Sequence, residues 1–162
     1  MTDAAISEQQ RLALEEYRVA SVLTRYSVAC DERDREELAT LFHPDATAVY
    51  DKDADLVGNT AIAEWISSAT AHLRWQQHAV RVMTVDIDGD RARAVSYLTS
   101  HQVAFDTPDV TLMMNSRYDT EHALADGRWV ITKLLLTVGT VENRPIQLGT
   151  LVPDSNSEVS ND

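Results

Sequence analysis

The sequence predicts an α+β fold in which helices pack on one side of a curved, mainly antiparallel sheet. Two observations carry that prediction. Apolar residues at helical spacing are confined to the first half of the chain, and strand-like alternation broken by tight turns fills the second. Helices first and a long meander afterwards, rather than alternating β-α-β units, mark the α+β class.

The first element is a long helix. Ser7 followed by Gln10 makes a capping-box start, and Val19, Val22, Leu23, Tyr26 and Cys30 recur on one apolar stripe. Asp31-Glu-Arg-Asp34 breaks the stripe, and Asp34 can cap a short second helix that carries Leu38, Leu41 and Phe42. His43-Pro44-Asp45 ends it, because proline disfavours helical geometry in the residue before it. Residues 47–50 then read as a strand, and Gly58-Asn59-Thr60 as a turn into a third helix with Ile62, Trp65 and Ile66 inside. From about Arg74 the chain reads as strands. Asp88-Gly89-Asp90 and Asp126-Gly127 are hairpin turns, Pro108 marks a bend, and the strands between them cover 91–105, 110–124 and 128–138.

Alternation along these strands suggests which side chains point inward. His78, Val80 and Val82 share a face, whereas Met83, Val85 and Ile87 continue the apolar pattern on the other parity, so a one-residue bulge is expected near 82–83. Val95, Tyr97, Thr99, His101, Val103 and Phe105 form the more apolar face of the next strand, which puts His101 on the inner side. In the last strand Trp129, Ile131, Lys133 and Leu135 alternate together, making Lys133 an inward cation or one that snorkels to the rim. Asp31 falls where the long helix meets the sheet, and a buried carboxylate needs a partner such as an inward histidine.

A chain of 162 residues is the usual size of one domain, with 44% hydrophobic and 25% charged residues as in globular proteins. We expect one domain over residues 1–153 and an acidic, disordered tail over 154–162. The net charge of −12 makes nucleic acid and anionic membranes poor partners. The N-terminus has no secretory pattern and no apolar run is long enough to span a bilayer, so a cytoplasmic location is expected. The single cysteine, Cys30, excludes an internal disulfide and reads as packing. The five histidines show neither helical i,i+4 pairing nor carboxylate clustering of the zinc-enzyme type, so no metal is expected. His43, His72 and His122 read as loop or surface residues. The five glycines are isolated and form no phosphate loop, and there is no nucleophile-elbow serine.

The run Val22-Leu-Thr-Arg-Tyr26-Ser-Val-Ala-Cys-Asp31-Glu-Arg-Asp34, then Leu41-Phe42-His-Pro-Asp45-Ala46, resembles the opening of SnoaL-like proteins, within the nuclear-transport-factor-like superfamily. Trp75-Gln-Gln-His78, Asp86-Ile-Asp-Gly-Asp90-Arg-Ala92 and Asp126-Gly-Arg-Trp129-Val-Ile131 continue the pattern in the same order, and the likeness covers about residues 10–138. It implies a cone-shaped barrel with a pocket inside. The polar residues are similar to the subgroup of scytalone dehydratase, bile-acid 7α-dehydratase and hexachlorocyclohexane dehydrochlorinase, which use an aspartate–histidine dyad without metal or organic cofactor. By that resemblance Asp31 and His78 occupy the dyad positions, Tyr26 and Tyr50 match tyrosines of two of these enzymes, and His101 takes the place of a second histidine or an aspartate. Arg81 stands where many relatives carry asparagine, and Lys133 lies near an arginine of the dehydrochlorinase. A homo-oligomer, a trimer for this subgroup and a dimer for the ketosteroid-isomerase branch, is implied in the same way.

The chemistry implied is a β-elimination on a small cyclic or aromatic hydroxylated compound. His78 would remove a proton, Asp31 would orient it, His101 or Tyr26 would assist the departing oxygen, and Tyr50, Asn115 and Lys133 would bind substrate. By pattern alone blander readings stand beside each role: Asp31 as a helix cap, His78 as a satisfied core histidine, the tyrosines as core aromatics, Asn115 and Lys133 as sheet or rim residues. The same scaffold also hosts isomerases, polyketide cyclases, epoxide hydrolases, carbon–carbon lyases and non-catalytic small-molecule binders.

Overall fold

The long helix α1 (Glu8–Glu32) begins where its capping box places it. The Gln10 N–H donates to the Ser7 hydroxyl at 3.2 Å, and the Ser7 N–H donates to Gln10 Oε1 at 2.9 Å. Its buried stripe comprises Val19, Val22, Leu23, Tyr26 and Cys30, joined by Ser27 and Ala29. The helix stops at Arg33, a non-glycine residue in the left-handed region (φ 56°). Its guanidinium donates to the carbonyls of Thr70 (3.3 Å) and Leu73 (2.6 Å), which ties down the turn that the strained residue makes. Asp34 then caps α2 (Arg35–Leu41), accepting from the Glu37 N–H at 2.9 Å. This computed structural model describes residues 7–50, 55–147 and 149; the expected tail over 154–162 and the domain boundary at 153 lie outside the described residues.

A third helix, α3 (Asn59–Ala69), and six strands complete the fold: β1 (Phe42–Val49), β2 (Asp55–Val57), β3 (Leu73–Asp88), β4 (Arg91–Ala104), β5 (Val110–Ala125) and β6 (Arg128–Pro145). The strands make one open sheet in the order β2-β1-β6-β5-β4-β3, antiparallel throughout except where β1 runs parallel to β6. This is the α+β cone: the helices cover the inner face of the sheet, and Leu23, Leu38, Ile62, Ile131 and Leu134 form the core between them. No described helix is long and apolar enough to cross a membrane.

Four departures from the sequence reading have physical causes. The first strand begins at Phe42, ahead of the expected 47, and its ladder to β6 breaks between Phe42 and Thr47, around Pro44. Proline has no N–H to give such a ladder. The last strand runs on past Gly139 to Pro145 because the ladder is interrupted there, between Asn115 and Ser116 of β5, and not ended. A Cβ on Gly139 would lie 3.2 Å from the Asn115 carbonyl oxygen, so a residue without one suits this close approach. The short strand β2 has too few residues to show a period.

The fourth departure matters most. On β4 the buried side chains are Ala92, Ala94, Ser96, Leu98 and Ser100 on one parity, with Val103 buried on the other near the strand's end, while Tyr97 and, just past the strand, Phe105 are about half exposed. The inner face of this strand is the less apolar one, because small residues there leave room for Tyr26, Tyr118 and His122, which fill the space beneath the helix. The bulge expected near 82–83 is present: the β3–β4 register shifts between Val82 and Thr84, which keeps Val82, Val85 and Ile87 against the core and turns Met83 outward.

Candidate active site

The C-terminal turn of α1 is laced to the start of β3 by side chains from both. Gln76 donates through Nε2 to the Cys30 carbonyl at 2.6 Å, and Arg33 reaches the Leu73 carbonyl. Between them Asp31 holds His78 with both oxygens. Oδ2 accepts from the His78 backbone N–H at 3.0 Å, and Oδ1 lies 2.7 Å from Nδ1 of the ring. The helix supplies the carboxylate and the strand supplies the imidazole, so the pair exists only because the two elements dock in this register.

The contact fixes the chemistry of the ring. A carboxylate accepts only, so Nδ1 carries the hydrogen and Nε2 keeps its lone pair. No described side chain hydrogen-bonds to Nε2. The His78 side chain is 11% exposed and borders a half-open cavity of about 400 Å³ between α1, α3 and the inner face of the sheet. That volume suits a small organic molecule. Asp31 itself stands behind the ring and does not line the cavity.

Aromatic hydroxyls gather on another wall. The Tyr26 and Tyr50 hydroxyls are 2.9 Å apart, and Tyr118 meets Tyr26 edge-on with ring centroids 5.7 Å apart. Tyr50 in turn stacks on Trp65 at 4.8 Å. Burial pushes all three phenols above their ordinary range and lifts the Cys30 thiol to about 12. The phenols are therefore neutral hydrogen-bond donors, and Cys30 is no nucleophile.

Of the residues singled out in the sequence, Tyr26, Tyr50 and His78 line this cavity, with Asp31 behind it. His101, Asn115 and Lys133 do not. His101 is on the outer face of the sheet, beside Trp75, Gln77 and Thr111, since the inner parity of β4 is the one that carries Ser100. Asn115 is exposed on the same outer face, accepting from the Thr99 hydroxyl at 2.8 Å and donating to Thr140 at 3.0 Å. Lys133 is exposed because the β5–β6 register shifts between Glu121 and His122, turning Leu134 and Leu136 inward in its place. Arg81 is exposed on the outer face as well.

His122, expected at the surface, is 1% exposed. Its Nε2 lies 2.9 Å from the Thr120 hydroxyl, which donates onward to the Ala94 carbonyl, and its Nδ1 has no partner. Burial pulls its pKa down to about 4, so it sits neutral under the core. The lining residues that the sequence reading missed include Trp65, Ser100, Gln102, Ser116 and Tyr118. The signal that could have found the serines is pairing register: His78 lies opposite Ser100, and Leu98 opposite Ser116, so His78 fixes the inward parity of both neighbouring strands. Among the described residues no cluster of three His, Cys, Asp or Glu side chains is placed to hold a metal ion.

With this geometry in hand, the comparisons with known proteins are specific about fold. Residues 11–134 match the SnoaL-like domain, and the chain belongs to that family. Its fold is that of a provisionally assigned scytalone dehydratase from Novosphingobium aromaticivorans, with TM-score 0.77, 17% identity, and coverage of 86% of this chain and 93% of that one. It is equally that of the type-3 hexachlorocyclohexane dehydrochlorinase of Novosphingobium barchaimii, with TM-score 0.75, 14% identity, and 85% and 94% coverage. A protein of unknown function from Mycobacterium tuberculosis shares it too, with TM-score 0.74, 18% identity, and 84% and 78% coverage. No curated protein matches the sequence.

Proposed function

We propose that this SnoaL-like protein is a cofactor-independent lyase of the dehydratase type, acting on a small cyclic or aromatic hydroxylated compound. The observation that carries the reading is the two-oxygen grip of Asp31 on His78, at 3.0 and 2.7 Å, on a ring that borders a half-open cavity. A pocket that only binds has little use for a carboxylate-oriented base. In the reaction Nε2 of His78 takes a proton from carbon, and Asp31 stabilises the imidazolium that forms, with the carbonyl end of α1 adding to it. The electrons of the broken C–H bond form the new double bond as the neighbouring C–O bond breaks. The departing oxygen takes a proton from the imidazolium and leaves as water, which restores His78.

Tyr26, Tyr50 and Tyr118 serve as neutral donors to a substrate oxygen, since burial disfavours their ionisation. Lys133 is exposed on the far side of the sheet, and no Lys or Arg among the described residues lines the cavity, which supports departure of water over departure of a halide anion. The phenol cluster also favours one second reading: donors facing a base suit an isomerase that moves a proton next to a carbonyl. Two further parts of the proposal are coarser. A homo-oligomer, trimeric by resemblance, is supported by apolar side chains such as Tyr97 and Leu135 exposed on the outer sheet face. A cytoplasmic location is supported by a chain with one cysteine and hence no internal disulfide.

The test is a mass-resolved screen of hydroxylated cyclic compounds for loss of one water, repeated with His78→Ala. The proposal expects turnover to fall on the order of 10²- to 10⁴-fold in the variant. A product of unchanged mass selects the isomerase, and dehydration that proceeds as fast without the imidazole sinks both.

A further inference from the structure

The wall of the cavity next to His78 is polar, yet no described residue satisfies it. Ser100 is the direct cross-strand neighbour of His78, Gln102 follows two residues along the same face, and Ser116 lies opposite Leu98 in the adjoining strand. All three line the cavity, and no hydrogen bond among the described residues involves any of their side-chain polar atoms. Ser100 is only 1% exposed and Ser116 8%. Their hydroxyls open onto the cavity and are not sealed in the packing, as the unpartnered Ser96 hydroxyl is, so water or a ligand in the cavity completes their bonding. The phenols of Tyr26 and Tyr50, by contrast, already bond to each other.

The second observation is charge. No Asp, Glu, Lys or Arg lines the cavity among the described residues, and Asp31 stands behind His78. A carboxylate or phosphate entering here meets no lining cation among the described residues and faces the field of the half-buried Asp31. A neutral hydroxyl or carbonyl meets hydrogen-bonding groups strung along one inner strip, with Ser100 and Ser116 diagonal neighbours across the β4–β5 ladder, roughly 7–8 Å apart.

We propose that Ser100, Gln102 and Ser116 form a neutral hydrogen-bonding subsite that takes an uncharged hydroxyl or carbonyl of the substrate beside His78 and excludes anionic groups. The substrate class is therefore an uncharged molecule with polar groups at two ends, one for the serine strip and one for the phenols. Trp65, Leu136 and Val138 contact the apolar body between them. This rests on the proposed lyase reading for its role in specificity, but binding reads it without turnover.

The experiment is calorimetric titration of the whole chain with 2-naphthol and with 2-naphthoate at pH 7.5, which differ in charge at similar size. The expected result is measurable binding of 2-naphthol, with 2-naphthoate weaker on the order of 50-fold from the uncompensated charge. The Ser100→Ala/Ser116→Ala double variant should bind 2-naphthol about tenfold more weakly. Its thermal midpoint should hold, since these hydroxyls open onto the cavity and bond to no described residue, and Ser100→Thr should keep the affinity. Absence of 2-naphthol binding, equal affinity for the two probes, or undiminished binding by the double variant overturns the subsite. Any of these beside a His78-dependent dehydration leaves the lyase reading standing; a selective, serine-dependent pocket without dehydration removes the lyase and keeps the subsite.

Discussion

Replacing Asp31 with asparagine changes almost no volume but reverses the polarity of one contact. The carboxamide oxygen can still accept from the His78 backbone N–H, the 3.0 Å bond that Oδ2 makes now. Its NH₂ group then faces Nδ1, where Oδ1 sits at 2.7 Å in the native pair. Two donors cannot share a hydrogen bond, so the ring moves its hydrogen to Nε2 and accepts at Nδ1. The lost charge-assisted bond is worth about 1.5–3 kcal/mol, and the base no longer presents a lone pair to the cavity. Together these lower turnover on the order of 10²- to 10⁴-fold while the fold stays intact. The assay needs no substrate: nitrogen-15 shifts of the His78 ring at about pH 8.5, above the ordinary imidazole range, report which nitrogen holds the hydrogen. Native protein should show Nδ1–H and the Asp31→Asn variant Nε2–H. A ring that keeps Nδ1–H in the variant refutes the claim that Asp31 sets the tautomer, and with it the mechanism.

Other expectations are independent of that one. His122 has its pKa pulled down to about 4 by burial, against about 6.5 when unfolded. Above pH 6.5 neither state binds the proton and stability is full; as pH falls from 6.5 towards 4 only the unfolded state takes it up, and about 3 kcal/mol is lost. Urea midpoints measured from pH 8 to 4 should therefore fall more steeply for the native chain than for His122→Gln, and parallel curves would rule this out. His101→Ala should leave turnover within about twofold of native, because the ring is on the outer face of the sheet; a loss comparable to that of His78→Ala in the same assay would restore His101 to the site.

Local chemistry made much of this molecule readable in advance. Ser7, Gln10 and Asp34 act through atoms within three residues of themselves, so their caps follow from sequence. Asp126 and Gly127 both take positive φ, as a tight hairpin of this twist demands, and the parity slip before Met83 is a bulge written into the order of apolar residues. Asp31 and His78 were identified as partners through family resemblance, not through spacing. Nothing within one element says that a helix end will meet a strand start.

What the tertiary structure decided is which face of each strand is inside. A face is buried because of what packs on it, and here the large side chains of α1 and β5 demand small ones from β4, so the apolar parity of that strand points outward and takes His101 with it. Register shifts between Glu121 and His122 and beside Gly139 likewise turned Lys133 out and brought Val141 to the cavity mouth. Periodicity gives two faces per strand with equal clarity. Only the helices, docked through Arg33, Gln76 and Asp31, break the tie.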